Sequence, residues 1–391
     1  MKSRIRIAFL LAWTIVMTMT TPSTAMTPVP APRGKTDVFV NRSLVDRAEV
    51  SNLRFDTRLG GFRLQDDPAG GFLERGSVTS DSVFYESGVT SVVPSWNADC
   101  PNGTFVRIEL QARPDAESEW SAWYQIANWG DPNVAETRNP ETVLKGDAFA
   151  RVVEDILELS RPCTQLRYRI TLLTTDKTAS PLLTLVALAA INRNLVNAPD
   201  DSRGPAWGRS VKCDFISQVV QPRDLAWRVC GPTSLTMALT AHGVSLKVPF
   251  VAERAWDMVN AIYGNWPFLA AAASDLLRRY ENAIPQKKGF RKAFQAYVMW
   301  PSDWKAVERE ILSGNPCILS MRFERGELSV DPERRSDGHL IVVRGFTKNG
   351  DVMCLDPAYR EEKNGRITYN RQELHNARHG GPIIVLHPYS K

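Results

Sequence analysis

In Arg228-Val229-Cys230-Gly231-Pro232-Thr233-Ser234-Leu235-Thr236-Met237 a cysteine stands immediately ahead of Gly-Pro, and an apolar helical pattern runs on to His242 and Gly243. Proline suits the first turn of a helix, where its missing N–H removes a donor that has no intrahelical partner. Gly243 is placed to close the same helix from the left-handed conformation. The pattern therefore predicts a helix that begins at or beside Cys230. Unpaired amides and the helix dipole at that end favour a thiolate over a thiol, the condition for a nucleophilic cysteine. A half-buried structural cysteine is the competing reading, and residues farther along decide between the two.

Downstream, Asp337-Gly338-His339-Leu340-Ile341-Val342-Val343-Arg344-Gly345-Phe346 places a histidine at the head of a β-branched run. Gly350-Asp351-Val352-Met353-Cys354-Leu355-Asp356-Pro357 is a second strand pattern, ending in Asp-Pro. Thr347-Lys348-Asn349-Gly350 between them is a hairpin-turn signal. A two-residue turn at Asn349-Gly350 sets His339 opposite Arg360, and a four-residue loop over 347–350 sets it opposite Ala358. Either register leaves His339 and Asp356 on one face of the pair, and the longer loop brings them to a diagonal relation. Thiolate, imidazole and carboxylate form one chemical unit. The first attacks a carbonyl, the second moves the proton, and the third fixes the tautomer and steadies the positive ring.

This order resembles the C39-like cysteine peptidases, the papain-like group that includes double-glycine leader peptidases. The matching residues are Ile216-Ser217-Gln218, Cys230-Gly231-Pro232-Thr233-Ser234, Gly264-Asn265-Trp266, Gly314-Asn315-Pro316, Gly338-His339 and Asp356-Pro357-Ala358. The resemblance covers nearly all of Cys213 to His387. It implies Cys230 as nucleophile, His339 as general acid/base and Asp356 as the orienting residue. It also implies an upstream glutamine whose side-chain amide joins the Cys230 N–H in an oxyanion hole. Gln218 is the first choice for that place and Gln221, nearer in sequence, the alternative. No ABC-transporter portion accompanies the motifs, which weakens the analogy with bacteriocin-exporting members.

Around this half the chain is organised as a multidomain protein. At 391 residues, 43% hydrophobic and 23% charged, it is ordinary globular material and longer than one typical domain. Residues 1–25 read as a secretory signal: Lys2, Arg4 and Arg6, then a short apolar core from Ala8 to Met19, then small residues before a cleavage point. That core falls short of the roughly 20 residues that span a bilayer. No stable membrane span is expected after cleavage, and the mature chain is expected to be secreted or periplasmic. Removing the three signal cations from the formal +5 leaves +2, so charge gives no reason to expect nucleic acid as a partner.

Residues 26–37, with Pro28, Pro30 and Pro32, read as an extended spacer. From 38 to 195, short strand patterns such as Phe62–Leu64, Ser82–Tyr85, Thr104–Gln111, Arg167–Leu173 and Leu182–Ala187 are punctuated by turn residues, which suggests an antiparallel β-sandwich. Trp96, Trp120, Trp123 and Trp129 fall in this half and are read as core rather than as sugar-stacking residues. Residues 196–210 read as a linker. Residues 211–391 then mix helices with buried strands, an α+β catalytic half: a helix over Val251–Ile262, one from Trp266 or Phe268 to about Tyr280, one capped by Ser302, and a strand over Pro316–Met321.

Export permits disulfides, and Cys100 and Cys163, both beside proline in apparent loops, are a candidate pair. Cys317 and Cys354 read as buried packing residues. His375 and His379 have the spacing of a helical metal pair but no third ligand, so no metal and no cofactor are expected. The reading is an exported thiol hydrolase acting on a peptide or protein, with peptidoglycan, other cell-surface material or an isopeptide bond as variants of the same substrate chemistry. The alternative is a non-catalytic surface-binding protein built on a papain-like scaffold.

Overall fold

The computed structural model describes residues 32–40, 43, 47–131, 133–134, 146–196, 203–280, 292–301, 303–378 and 381–390. The expected signal segment and His379 lie outside them. The N-terminal half contains β1 (Pro32–Val40), β2 (Glu49–Ser51), β3 (Leu53–Asp56), β4 (Gly61–Leu64), β5 (Arg75–Thr79), β6 (Val83–Asp99), β7 (Thr104–Arg113), β8 (Tyr124–Gly130), β9 (Ala150–Val153), β10 (Ile156–Thr174) and β11 (Leu182–Val196). Every ladder between these strands is antiparallel. The three long strands organise the rest. β10, 19 residues long, pairs with β9 and β6 at its start and with β5 and β7 farther on. All these strands therefore share one hydrogen-bonded network.

Two segments read as connections are structure. The chain from Pro32 is not spacer but β1, paired along β11. Residues 203–210 are not a free linker: Ala206 is fully buried, Trp207 donates to Glu308, and the stretch bridges to Phe346 and Gly345 in the second half. The ladder to β11 holds the first segment, and burial of Ala206 with the bridges to Phe346 and Gly345 holds the second. Trp96 and Trp129 are core residues, in edge-on contact with each other and with Phe268. Trp120 and Trp123 are half-buried beneath Arg113, Arg167 and Arg169.

The C-terminal half contains α1 (Cys230–Thr240), α2 (Val248–Arg254), α3 (Trp266–Tyr280), β12 (Lys292–Met299), α4 (Trp304–Leu312), β13 (Cys317–Phe323), β14 (Ser336–Phe346), β15 (Val352–Leu355), α5 (Glu362–Gly365), β16 (Arg366–Tyr369), α6 (Arg371–Ala377) and β17 (Ile383–Ser390). Its sheet is antiparallel with strand order β12-β17-β13-β14-β15-β16. The expected helix to Ile262 stops at Arg254. Asp257 accepts from the N–H groups of Val259 and Asn260, and this local capping competes with helical hydrogen bonds. The cap of α4 is Asp303, not Ser302: its carboxylate accepts from the Ala306 N–H.

The halves share one core. Val92 to Ala98 of β6 are buried without a break, because α3 and β12 cover what would otherwise be an outer surface. β12 is an edge strand of its sheet, and side chains of the N-terminal half satisfy its outer backbone. The Asn97 amide donates to the Ala296 carbonyl at 2.6 Å and accepts from the Ala296 N–H at 3.1 Å. Ser95 accepts from the Val298 N–H and Thr36 from the Trp300 N–H, each at 3.0 Å.

Candidate active site

Cys230 is the first residue of α1, and its half-buried thiol stands where the helix has not yet begun to consume amide donors. The helix behind it is buried from Gly231 to Leu239. Glycine at 231 gives close packing, because a Cβ there would come within 2.9 Å of a Leu269 methyl, 3.0 Å of a Leu340 methyl and 3.2 Å of the Gly264 Cα. Gly243, at φ 77°, follows the helix end and donates to the Thr240 carbonyl. One turn beyond the cysteine, the Ser234 hydroxyl donates to the Leu340 carbonyl at 2.9 Å. That bond ties α1 to β14 at the residue after His339.

The β14–β15 hairpin brings the other two groups together by an unforeseen route. Phe346 faces Val352, Thr347 and Asp351 close the turn, and Gly350 at φ 92° takes the left-handed position. Three residues, 348–350, make the loop. An irregularity between Val343 and Gly345 then shifts the count by one, so that Val342 faces Leu355. Continued past the ladder, this register sets His339 opposite Ala358, the diagonal relation to Asp356. His339 Nε2 and Asp356 Oδ1 are 2.7 Å apart.

Asp356 is fully buried and its carboxylate is saturated. Besides His339, it accepts from the Ala358 N–H at 2.9 Å, from Arg334 Nη1 at 2.9 Å and from the Tyr369 hydroxyl at 2.8 Å. Burial alone would raise its pKa; the His339 charge, then Arg334 and the backbone donor, hold it far below the usual carboxylate range. For His339 burial works against protonation, but Asp356 and Cys230 lift its pKa to about 10. Burial would likewise raise the Cys230 thiol, and the hydrogen bond and charge of His339, with the backbone N–H groups of Leu340 and Gly231, bring it below its ordinary value. Both shifts favour the thiolate and imidazolium forms of the pair. Cys213 moves the other way, to about 11, and Cys317 and Cys354 are also raised, each chiefly by burial.

Gln218 is buried, its Oε1 has no hydrogen-bond partner, and its N–H donates to the Pro357 carbonyl at 2.9 Å, next to Asp356. The Gln221 side chain is committed elsewhere, donating to the Ser217 carbonyl. Sequence reasoning missed Arg334 and Tyr369. Neither lies in a recognisable motif, and both reach Asp356 only through the fold. Cys100 and Cys163 are buried and not joined by a disulfide; the Cys100 thiol contacts the Trp129 carbonyl, and Cys163 lies within β10 rather than in a loop, its thiol on the Arg161 carbonyl. Among the described residues, no group of three His, Cys, Asp or Glu is placed to hold a metal.

Two family profiles match the chain. The Peptidase C39-like family matches residues 211–379 and the Peptidase C39 N-terminal domain matches residues 40–190. Residues 211–379 thus belong to the Peptidase C39-like family, preceded by that family's N-terminal domain. No curated protein matches it. Two solved structures bear a slight likeness to this C39-like chain. One is of infectious bursal disease virus Gx strain, at 11% identity and TM-score 0.21, over 42% of this chain and 34% of that one. The other concerns promiscuous carbohydrate-binding modules from the β-sandwich superfamily, at 14% identity and TM-score 0.16, over 41% of this chain and 56% of that one. The chain thus spans about a third and about half of their lengths, and at these scores neither likeness bears on fold or function.

Proposed function

We propose that this protein is an exported cysteine peptidase or amidase, with a papain-like catalytic half over 211–391 and a β-sandwich accessory half over 38–195. The observation that carries the reading is the His339–Asp356 hydrogen bond beside a thiol drawn below its ordinary pKa at the start of a buried helix. The Cys230 thiolate attacks the amide carbonyl carbon, and the oxyanion is held by the Cys230 N–H and the Gln218 side-chain amide. Gln218 is preferred because the Gln221 amide is already used by Ser217. The imidazolium gives its proton to the departing nitrogen, the C–N bond breaks, and a thioester remains. Water then loses a proton to neutral His339 and attacks the thioester. The acid leaves, and thiolate and imidazolium are restored. Substrates are peptides, proteins or other amides, including peptidoglycan cross-links and isopeptide bonds.

The deciding experiment is turnover of a mixed peptide library by the purified mature chain under reducing conditions, with Cys230→Ala alongside. Cleavage that vanishes in the variant is the expected result. A Cys230→Ala protein as active as its parent would sink the mechanism.

A further inference from the structure

The cleft that holds Cys230 and His339, of about 670 Å³, is not walled by the catalytic half alone. Glu154, Ile156 and Arg193 of the accessory domain line it as well. They reach it from two fixed places. Glu154 and Asp155 form the two-residue tip of the β9–β10 hairpin, both at positive φ (47° and 65°) as that tight turn requires. Asn265 Nδ2 donates to Asp155 Oδ2 at 2.7 Å, so the tip is fastened to the loop that leads into α3 and forms part of the same cleft. Arg193 lies near the end of β11. Its Nε donates to Ser91 Oγ at 3.0 Å, and its guanidinium lies 5.3 Å from the ring centre of Trp300.

A guanidinium held at Nε and stacked on one face keeps its two terminal nitrogens as a ready fork for a carboxylate. Arg193 is exposed, faces the cleft and forms no salt bridge among the described residues; Glu158, whose charge acts on it, is paired with Arg151. The surrounding charge agrees. Arg228, two residues before the nucleophile, and the exposed Arg322 line the same cleft, against Glu154 and Asp337. The balance along the wall is positive. Such an arrangement concentrates anions beside Cys230.

We propose that the accessory domain is part of the substrate-binding surface and that Arg193 recognises a carboxylate carried by the substrate near the amide that Cys230 attacks. The substrate class is thereby narrowed to acidic peptides or amides. This rests on Cys230 as the nucleophile, but its test does not require turnover.

The full chain and Arg193→Gln are alkylated with iodoacetamide, which is neutral, and with iodoacetate, which carries a carboxylate. In both reactions the Cys230 sulfur displaces iodide and an S–C bond forms, and peptide mapping separates Cys230 from the five other cysteines. The expected result is that Arg193→Gln slows iodoacetate at Cys230 by roughly three- to tenfold relative to the parent, while iodoacetamide is unchanged. Arg193→Lys, which keeps the charge without the fork, should fall between. An iodoacetate-to-iodoacetamide ratio that is the same in parent and Arg193→Gln overturns the proposal. So does a parent whose Cys230 neither reagent reaches. Should Cys230 be an ordinary thiol, both absolute rates drop, yet the ratio still reports on Arg193, so the two readings fail separately.

Discussion

Asp356 accepts hydrogen bonds from His339, Arg334, Tyr369 and the Ala358 N–H while fully buried, so each donor favours the carboxylate over the acid. A carboxyl whose folded pKa is depressed contributes stability above its unfolded value of about 3.9, and that contribution is lost as pH falls through the folded value. Arg334→Gln removes the charged donor that is not itself catalytic. It is expected to cost about 2 kcal/mol at pH 7 and to move acid unfolding to higher pH. Urea titrations at stepped pH check this: the gap between parent and variant should persist down to about pH 3 and close only below it, as Asp356 takes up its proton in the folded state. The same pair of shifts sets the thiol chemistry. With Cys230 drawn down and His339 raised to about 10, the ion pair is favoured over the neutral pair. Iodoacetamide should therefore label Cys230 rapidly at pH 6, where an ordinary thiol is less than about 1% ionised. The rate should change again only as His339 loses its proton near 10. Asp356→Asn removes the charge that holds the imidazolium, and should slow labelling at pH 6 by about tenfold or more. Labelling of Cys230 at pH 6 no faster than that of Cys213 would contradict the assignment.

The elements must hold these side chains in register, and Ser234 is where α1 and β14 are joined. Its hydroxyl bond to the Leu340 carbonyl lies one helical turn from Cys230 and one residue from His339. Ser234→Ala leaves that buried carbonyl short of a donor, at about 1 kcal/mol, and loosens the thiolate–imidazolium distance. Labelling at pH 6 should slow by roughly three- to tenfold. A variant that loses stability but keeps the parent's labelling rate would show Ser234 to be structural only. The helix start at Cys230, the strand after His339 and the shared face with Asp356 were all legible, because they depend on Pro232, β-branched residues and the period of two. The route to the register was not. The extra residue at Arg344 coincides with hydrogen bonds from Val211 to the Arg344 carbonyl and from Phe346 to the Arg209 carbonyl. A chain segment more than a hundred residues upstream thus bends the strand, and no local pattern announces it. Arg334 and Tyr369 escaped notice for the same reason.

At the scale of the molecule, the accessory domain completes the catalytic half. β12 would otherwise present an open sheet edge, the surface through which strands aggregate. Here Asn97 does for Ala296 what a neighbouring strand would do, giving one donor and one acceptor, with Ser95 and Thr36 continuing the pattern at alternate residues. The strands before residue 196 and the helices after 230 meet in one apolar cluster, so neither half can lose its packing alone. This predicts that Asn97→Ala acts on the whole chain. It leaves the buried N–H and carbonyl of Ala296 without partners, at about 1–3 kcal/mol for the first group and less for the second. Urea unfolding followed by tryptophan fluorescence, to which Trp96 and Trp129 contribute alongside six tryptophans after residue 196, and by far-ultraviolet dichroism, dominated by the helices of the C-terminal half, should move together. The midpoint should fall by the same amount in both. Two separable transitions, only one of them displaced, would mean that the halves fold independently and that the accessory domain merely lies beside the cleft. Coincident displacement would mean that the wall carrying Arg193 unfolds only together with Asp356 and with Cys230 and His339, which it faces.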